Sequence, residues 1–226
     1  MEQFIEGYLL CDLKKMQEVE LKDDETMGAC GYPMLMSIMA GIELLGALTK
    51  NEKYNHLNGD TYFSNYWNTF LCEINHEYKP FGKFFRRMVR HGLMHSFLTK
   101  SDIEVSKNSP SLHMKYTKTP QNLKIDSTTM LNDFEKSYMD FIKPIVFEGK
   151  VLKSVDNHIM QNRLDEIATF YHSEANDSFK DLPKPISSAH YITNFPKSGA
   201  STSTSTSIGE GWETFNIHSG AITGSV

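Results

Sequence analysis

Residues Arg90 to His95, Arg-His-Gly-Leu-Met-His, bring together two side-chain types suited to phosphodiester chemistry. Arginine stays charged and offers phosphate a planar fork of donors, while histidine gives or takes a proton near neutral pH. The stretch covers about one and a half turns of helix. On an ideal helix Arg90 and His95 stand about 140° apart, so either the long arginine stem or a loosening at Gly92 must bring them together. His91 and His95 share a face more naturally. His95 also falls beside Phe84 and Met88 on the apolar arc of the helix, so the residues alone fit a buried, hydrogen-bonded core histidine as well. The His91/His95 spacing is that of a helical metal pair, but the glutamate of a zincin is missing and only His113 or a distant acid is left as third ligand; no metal and no cofactor is expected.

The motif must be positioned by a helix, expected from Phe81 to about Leu98 after a break at Lys79-Pro80. Phe84, Phe85, Met88, Val89 and Leu93 form its apolar arc, with Arg86, Arg87 and Arg90 opposite. Arg87 is an accessory cation for the motif, or with Arg86 part of a solvated face. Upstream, helical spacing predicts a helix over 2–19 and a second from Pro33 to about Leu48. A third opens at Asp60 or Thr61, and its aromatic set Tyr62, Phe63, Tyr66 and Trp67 has the spacing of a core stripe, although such rings also stack on exposed bases. Downstream, the alternation in 103–105, 112–116 and 123–125, punctuated by Ser109-Pro110 and Thr119-Pro120, predicts a small β-hairpin inserted over 101–126. Ser127 or Thr128 caps a helix reaching Ile145, and a last amphipathic helix is expected over about 150–173. The fold class is therefore mainly α, an up-and-down helical bundle with a hairpin insertion.

Glu43 is the lone charge on the most apolar helix. A buried carboxylate needs a cation or a proton, so Glu43 either pairs with Arg90, hydrogen-bonds His95, or lies at a bundle edge beside a surface lysine. The apolar run after Gly31-Tyr32-Pro33 is only about four and a half turns long and would place Glu43 deep in lipid, so a core helix and no membrane association is expected.

A chain of 226 residues suits one domain, here 1–176, followed by a low-complexity, flexible tail over 177–226 that includes the Ser/Thr run 201–207. The net charge of −5 excludes a global basic field, so any RNA contact must come from a local patch. Three widely spaced cysteines and a start without a secretory leader suggest free thiols and a cytoplasmic protein.

The pattern Arg90, a polar residue, three others, then His95 resembles the signature of the HEPN superfamily (higher eukaryotes and prokaryotes nucleotide-binding domains). The context through Ser96-Phe97 and the expected hairpin is similar to a group of bacterial members, and the resemblance covers roughly 1–175. It implies metal-independent RNA cleavage by attack of the ribose 2′-hydroxyl on the neighbouring phosphorus. In that scheme His95 acts as general acid or base, Arg90 neutralises the phosphorane oxygens, and His91 orients the phosphate or shares proton transfer. It further implies a homodimer joining two motifs in one cleft, and a toxin or phage-defence setting with an antitoxin or effector partner. The competing expectation is a catalytically silent HEPN-like module that binds RNA or nucleotides or only dimerises.

Overall fold

The structure, a computed structural model, describes residues 3–20, 29–96 and 102–180. It is mainly α. The helices are α1 (3–18), α2 (Gly31–Leu48), α3 (56–74), α4 (76–96), α5 (127–148) and α6 (Asn157–Lys180), with strands β1 (Ile103–Ser106), β2 (Tyr116–Lys118) and β3 (Gln121–Asp126) between α4 and α5. Contacts divide the chain into 1–181 and 182–226, and the second unit lies outside the described residues, as does most of the expected tail. Residues 177–180 are the exception, since they complete α6.

Helix α2 forms the centre because it is apolar nearly all round. It packs on α1, α3, α5 and α6, burying Leu35, Ile38, Met39, Ile42 and Leu45. Among the described residues it is the one helix long and apolar enough to cross a membrane, and more than half of it is buried against the rest of the chain. Gly46 lets α3 come close: a Cβ there would lie 1.9 Å from the Tyr62 carbonyl oxygen. The same crossing is fastened by Asn65, whose Nδ2 donates to Gly46 O at 3.2 Å and to Thr49 Oγ1 at 3.1 Å. Tyr62, Phe63, Tyr66 and Trp67 are all buried, so this aromatic stripe belongs to the core and offers bases no surface.

Several boundaries differ from those expected. The break between α3 and α4 falls at Asn75, whose backbone is extended and whose side chain accepts from Glu77 N–H; Pro80 sits inside the 3-10 turn His76–Phe81 that opens α4. Helix α5 is capped by Asp126, one residue before Ser127, through acceptance from Thr129 N–H at 2.8 Å. Helix α6 begins at Asn157 because Gly149, Lys153 and Ser154 take positive φ, Leu152 and Val155 bridge, and Asp156 accepts from Ile159 N–H.

The insertion is a three-stranded sheet in the order β1-β3-β2. Strands β2 and β3 form the expected hairpin, with Lys118 opposite Gln121, but β1 runs parallel to β3, pairing Ile103 with Leu123 and Val105 with Ile125. The middle apolar stretch is mostly not a strand, since Pro110–Leu112 is a 3-10 turn and Met114 has φ of 57°. Ile103, Leu123 and Ile125 join the core.

A buried polar chain ties this sheet to the helices. His113 Nδ1 accepts from Asp126 N–H at 3.1 Å, which fixes the neutral tautomer with the proton on Nε2. Nε2–H then donates to the Tyr78 hydroxyl at 2.8 Å, and that hydroxyl donates to Asp133 Oδ2 at 2.7 Å. Burial lowers the His113 pKa below the ordinary histidine value and, with Asp133 beside it, raises that of Tyr78.

Two predictions follow from these contacts. Gly46→Ala should lower the free energy of unfolding by about 3 kcal/mol or more, read from urea denaturation, because the clash is with backbone. For His113, the unfolded chain binds the proton more readily than the folded one. Its contribution to stability is complete above the unfolded pKa, near 6.5, and is lost as pH falls from there toward the lowered folded value. Stability should fall with pH in that window, by no more than about 1.4 kcal/mol per pH unit for one group, and the slope should flatten in His113→Gln, measured by denaturation between pH 7.5 and 5.

Candidate active site

Three helices converge on the motif: α2 supplies Glu43, the first turns of α3 supply Gly59 and Asp60, and α4 supplies Arg86, Arg90 and His91. Glu43 does pair with Arg90. Its Oε2 accepts from Arg90 Nε at 2.5 Å and is also bonded by Nη2. The Arg90 and Glu43 side chains are only 17% and 28% exposed, so this ion pair is partly desolvated and removing one partner costs more than at the surface. Gly59 leaves room for it: a Cβ at this position would lie 2.3 Å from Glu43 Oε1 and 3.0 Å from Arg90 Nη2.

Asp60 gathers the neighbouring groups. Its Oδ2 lies 3.0 Å from Arg86 Nη1, and its Oδ1 lies 3.3 Å from His91 Nε2 and 3.9 Å from Arg90 Nη1. With Asp60 as acceptor, His91 carries its proton on Nε2, and Arg90 Nη1, at 3.4 Å from that nitrogen, stands beside the ring. Nε and Nη2 of Arg90 are thus engaged by Glu43, while Nη1 is turned toward His91.

The backbone explains why Arg86, Arg90 and His91 face one carboxylate. Phe85–Arg90 is a π turn, closed by the bond from His91 N–H to Arg86 O. In an α-helix residues five apart diverge by about 140°, whereas an i→i+5 bond sets His91 over Arg86. Phe85 and Val89 remain buried on the opposite side.

Helix α4 does not loosen at Gly92: residues 91–96 are regular α-helix, and Gly92 is buried. The side chain of His95 lies outside the described residues. Arg87 is exposed and takes no part in the network, whereas Arg86, read from sequence as a surface charge, is its second guanidinium. His113, the alternative third metal ligand, is bound into the Tyr78 chain instead. Among the described residues no group of three or more His, Cys, Asp and Glu side chains could hold a metal ion. Sequence reasoning missed Gly59 and Asp60; the only local signal was an acidic residue after glycine at the start of an aromatic helix.

No family model, no curated protein and no solved structure matches the chain.

Glu43→Gln should destabilise the fold by about 2 kcal/mol, since it leaves a largely buried guanidinium without its counter-charge. Combined with Arg90→Met, the loss should be clearly smaller than the sum of the single losses. Additive single losses in chemical denaturation would contradict the coupling.

Proposed function

We propose that this chain is a metal-independent endoribonuclease of HEPN type, acting in the cytoplasm as a symmetric homodimer and needing no cofactor. The observation that carries this reading is the placement of Arg90 Nη1 beside His91, with Asp60 orienting the imidazole and Glu43 orienting the guanidinium. A phosphate binder and a proton-transfer group are then neighbours on a partly exposed surface, where a phosphodiester can meet both.

The reaction needs a base to take the proton of the ribose 2′-hydroxyl and an acid to give one to the departing 5′-oxygen. The 2′-oxygen forms a bond to phosphorus, the P–O5′ bond breaks, and the products are a cyclic phosphate and a 5′-hydroxyl. In this reading Arg90 stabilises charge on the non-bridging oxygens, His95 and His91 handle the protons, and Glu43 and Asp60 are positioning residues. Arg87, exposed on the same helix, draws in the flanking phosphates. A second copy of the chain supplies the further acid or base. The toxin or phage-defence setting, with an antitoxin or effector partner, rests on the motif's resemblance alone.

One observation favours a second reading, the catalytically silent RNA- or nucleotide-binding or dimerising module. The guanidiniums of Arg86 and Arg90 are already balanced by Asp60 and Glu43.

Purified protein incubated with mixed single-stranded RNA and EDTA should cleave it to products with cyclic phosphate ends. Arg90→Ala, His91→Ala and His95→Ala should each lower the rate by about 10²–10⁴-fold with the fold intact by circular dichroism. Absence of cleavage by the wild type, or equal cleavage by the variants, would leave the silent module.

A further inference from the structure

A cleft of about 630 Å³ opens between the loop entering α3 and the outer face of α6. Tyr54, His56 and Phe170 bring rings to its wall. His56 stacks on Phe170 with ring centroids 4.7 Å apart and planes 14° apart, and Tyr54 meets the same Phe170 edge-on at 5.8 Å. The loop is held in place: Glu166 accepts from Tyr54 N–H at 2.7 Å, and Arg163 bonds both Glu166 and the Glu52 carbonyl. The rings are therefore presented by a fixed scaffold.

The polar lining complements these rings. Lys53, His56 and Asn58 line the cleft, and among the described residues their side chains enter no hydrogen bond or ion pair. An ammonium, an imidazole and a carboxamide with both donor and acceptor thus share the cleft with the rings, and Asp165, which accepts from Gln161, also lines it. Stacking surfaces plus an amide that can read a donor/acceptor edge are the elements by which proteins hold an unpaired base.

Its position links the cleft to the motif. Asn58 lines the cleft, the next residue, Gly59, is packed against Glu43 and Arg90, and the one after, Asp60, binds Arg86 and His91. Tyr54 also stacks on Tyr62 of α3 at 5.7 Å, and its phenol pKa is raised chiefly by burial and, more weakly, by the charge of Glu43.

We propose that this cleft is a nucleobase subsite, holding one unpaired RNA base against the stacked His56–Phe170 pair and Tyr54 while the adjoining phosphate extends past Asn58 to Arg90. The choice of RNA as the source of the base rests on the ribonuclease reading; the cleft's chemistry for a base does not.

The test is binding, measured with the full chain and a fluorescein-labelled 12-nucleotide RNA that is 2′-O-methylated and so cannot be cleaved. A sugar-phosphate strand of equal length without bases serves as control. His56→Ala and Asn58→Ala, both at exposed or half-exposed positions, should weaken RNA binding about 5–50-fold and leave the base-free strand unaffected, as stacking and edge contacts predict. Arg90→Ala should weaken both. Adenosine monophosphate should compete with the RNA through the same residues, but only weakly if a strand is the true source; competition as strong as that of the RNA would assign the cleft to a free nucleotide. Base-dependent binding without any cleavage would end the ribonuclease reading and leave the subsite standing. Cleavage with RNA affinity unchanged in His56→Ala and Asn58→Ala, or no RNA binding by the wild type, would overturn the subsite.

Discussion

The placement of Glu43 constrains much of this molecule. A carboxylate on the most apolar helix must meet a cation within the protein or remain expensively desolvated, and the cation it meets is on α4. For the two to touch, α3 must carry no side chain at Gly59; separately, α3 lies so close to α2 that a Cβ at Gly46 would meet its backbone. One ion pair thus ties α2 to α4 across the first turns of α3. It also fixes the orientation of Arg90, leaving Nη1 as the edge turned to His91.

The second constraint is the buried chain from His113 through Tyr78 to Asp133. It joins the inserted sheet, the entry to α4 and the middle of α5, and no member of it can be removed without leaving another buried polar group unsatisfied. Together with Asp126, which caps α5 while holding Ser109 N–H at 2.8 Å, it explains how a short sheet with one parallel and one antiparallel pairing is held against a helical body. Directional bonds do here what a small apolar face cannot do alone.

Helix positions were legible in the sequence because periodic apolar residues report burial directly: Ile38, Ile42 and Leu45, and again Phe85 and Val89, lie in the core as their spacing requires. That Glu43 needs a partner was legible by charge balance, but Arg90, 47 residues away, was one of three placements it allowed. Asp60 was not, since an aspartate near a helix start satisfies local capping rules whether or not it reaches another helix. Strand β1 was recognisable as a strand but not as a parallel partner of β3, because pairing direction depends on the route of 107–115. A reading based on 100° per residue also missed that Arg86 and His91 face together, since nothing in Phe-Arg-Arg-Met-Val-Arg announces a π turn.

That turn makes sequence distance a poor ruler in this protein. A helix that admits one extra residue in a single turn can slide its polar groups relative to its apolar anchors while its ends stay in place, and similar turns occur at Trp67–Leu71 and Tyr138–Ile142. The number of residues between Arg86 and His91 then ceases to define their geometry. Related chains could lengthen or shorten the interval by one and keep the same constellation, provided that the turn absorbs the difference. A search for this site in other sequences is better keyed to the acidic partners on the neighbouring helices than to the count along α4.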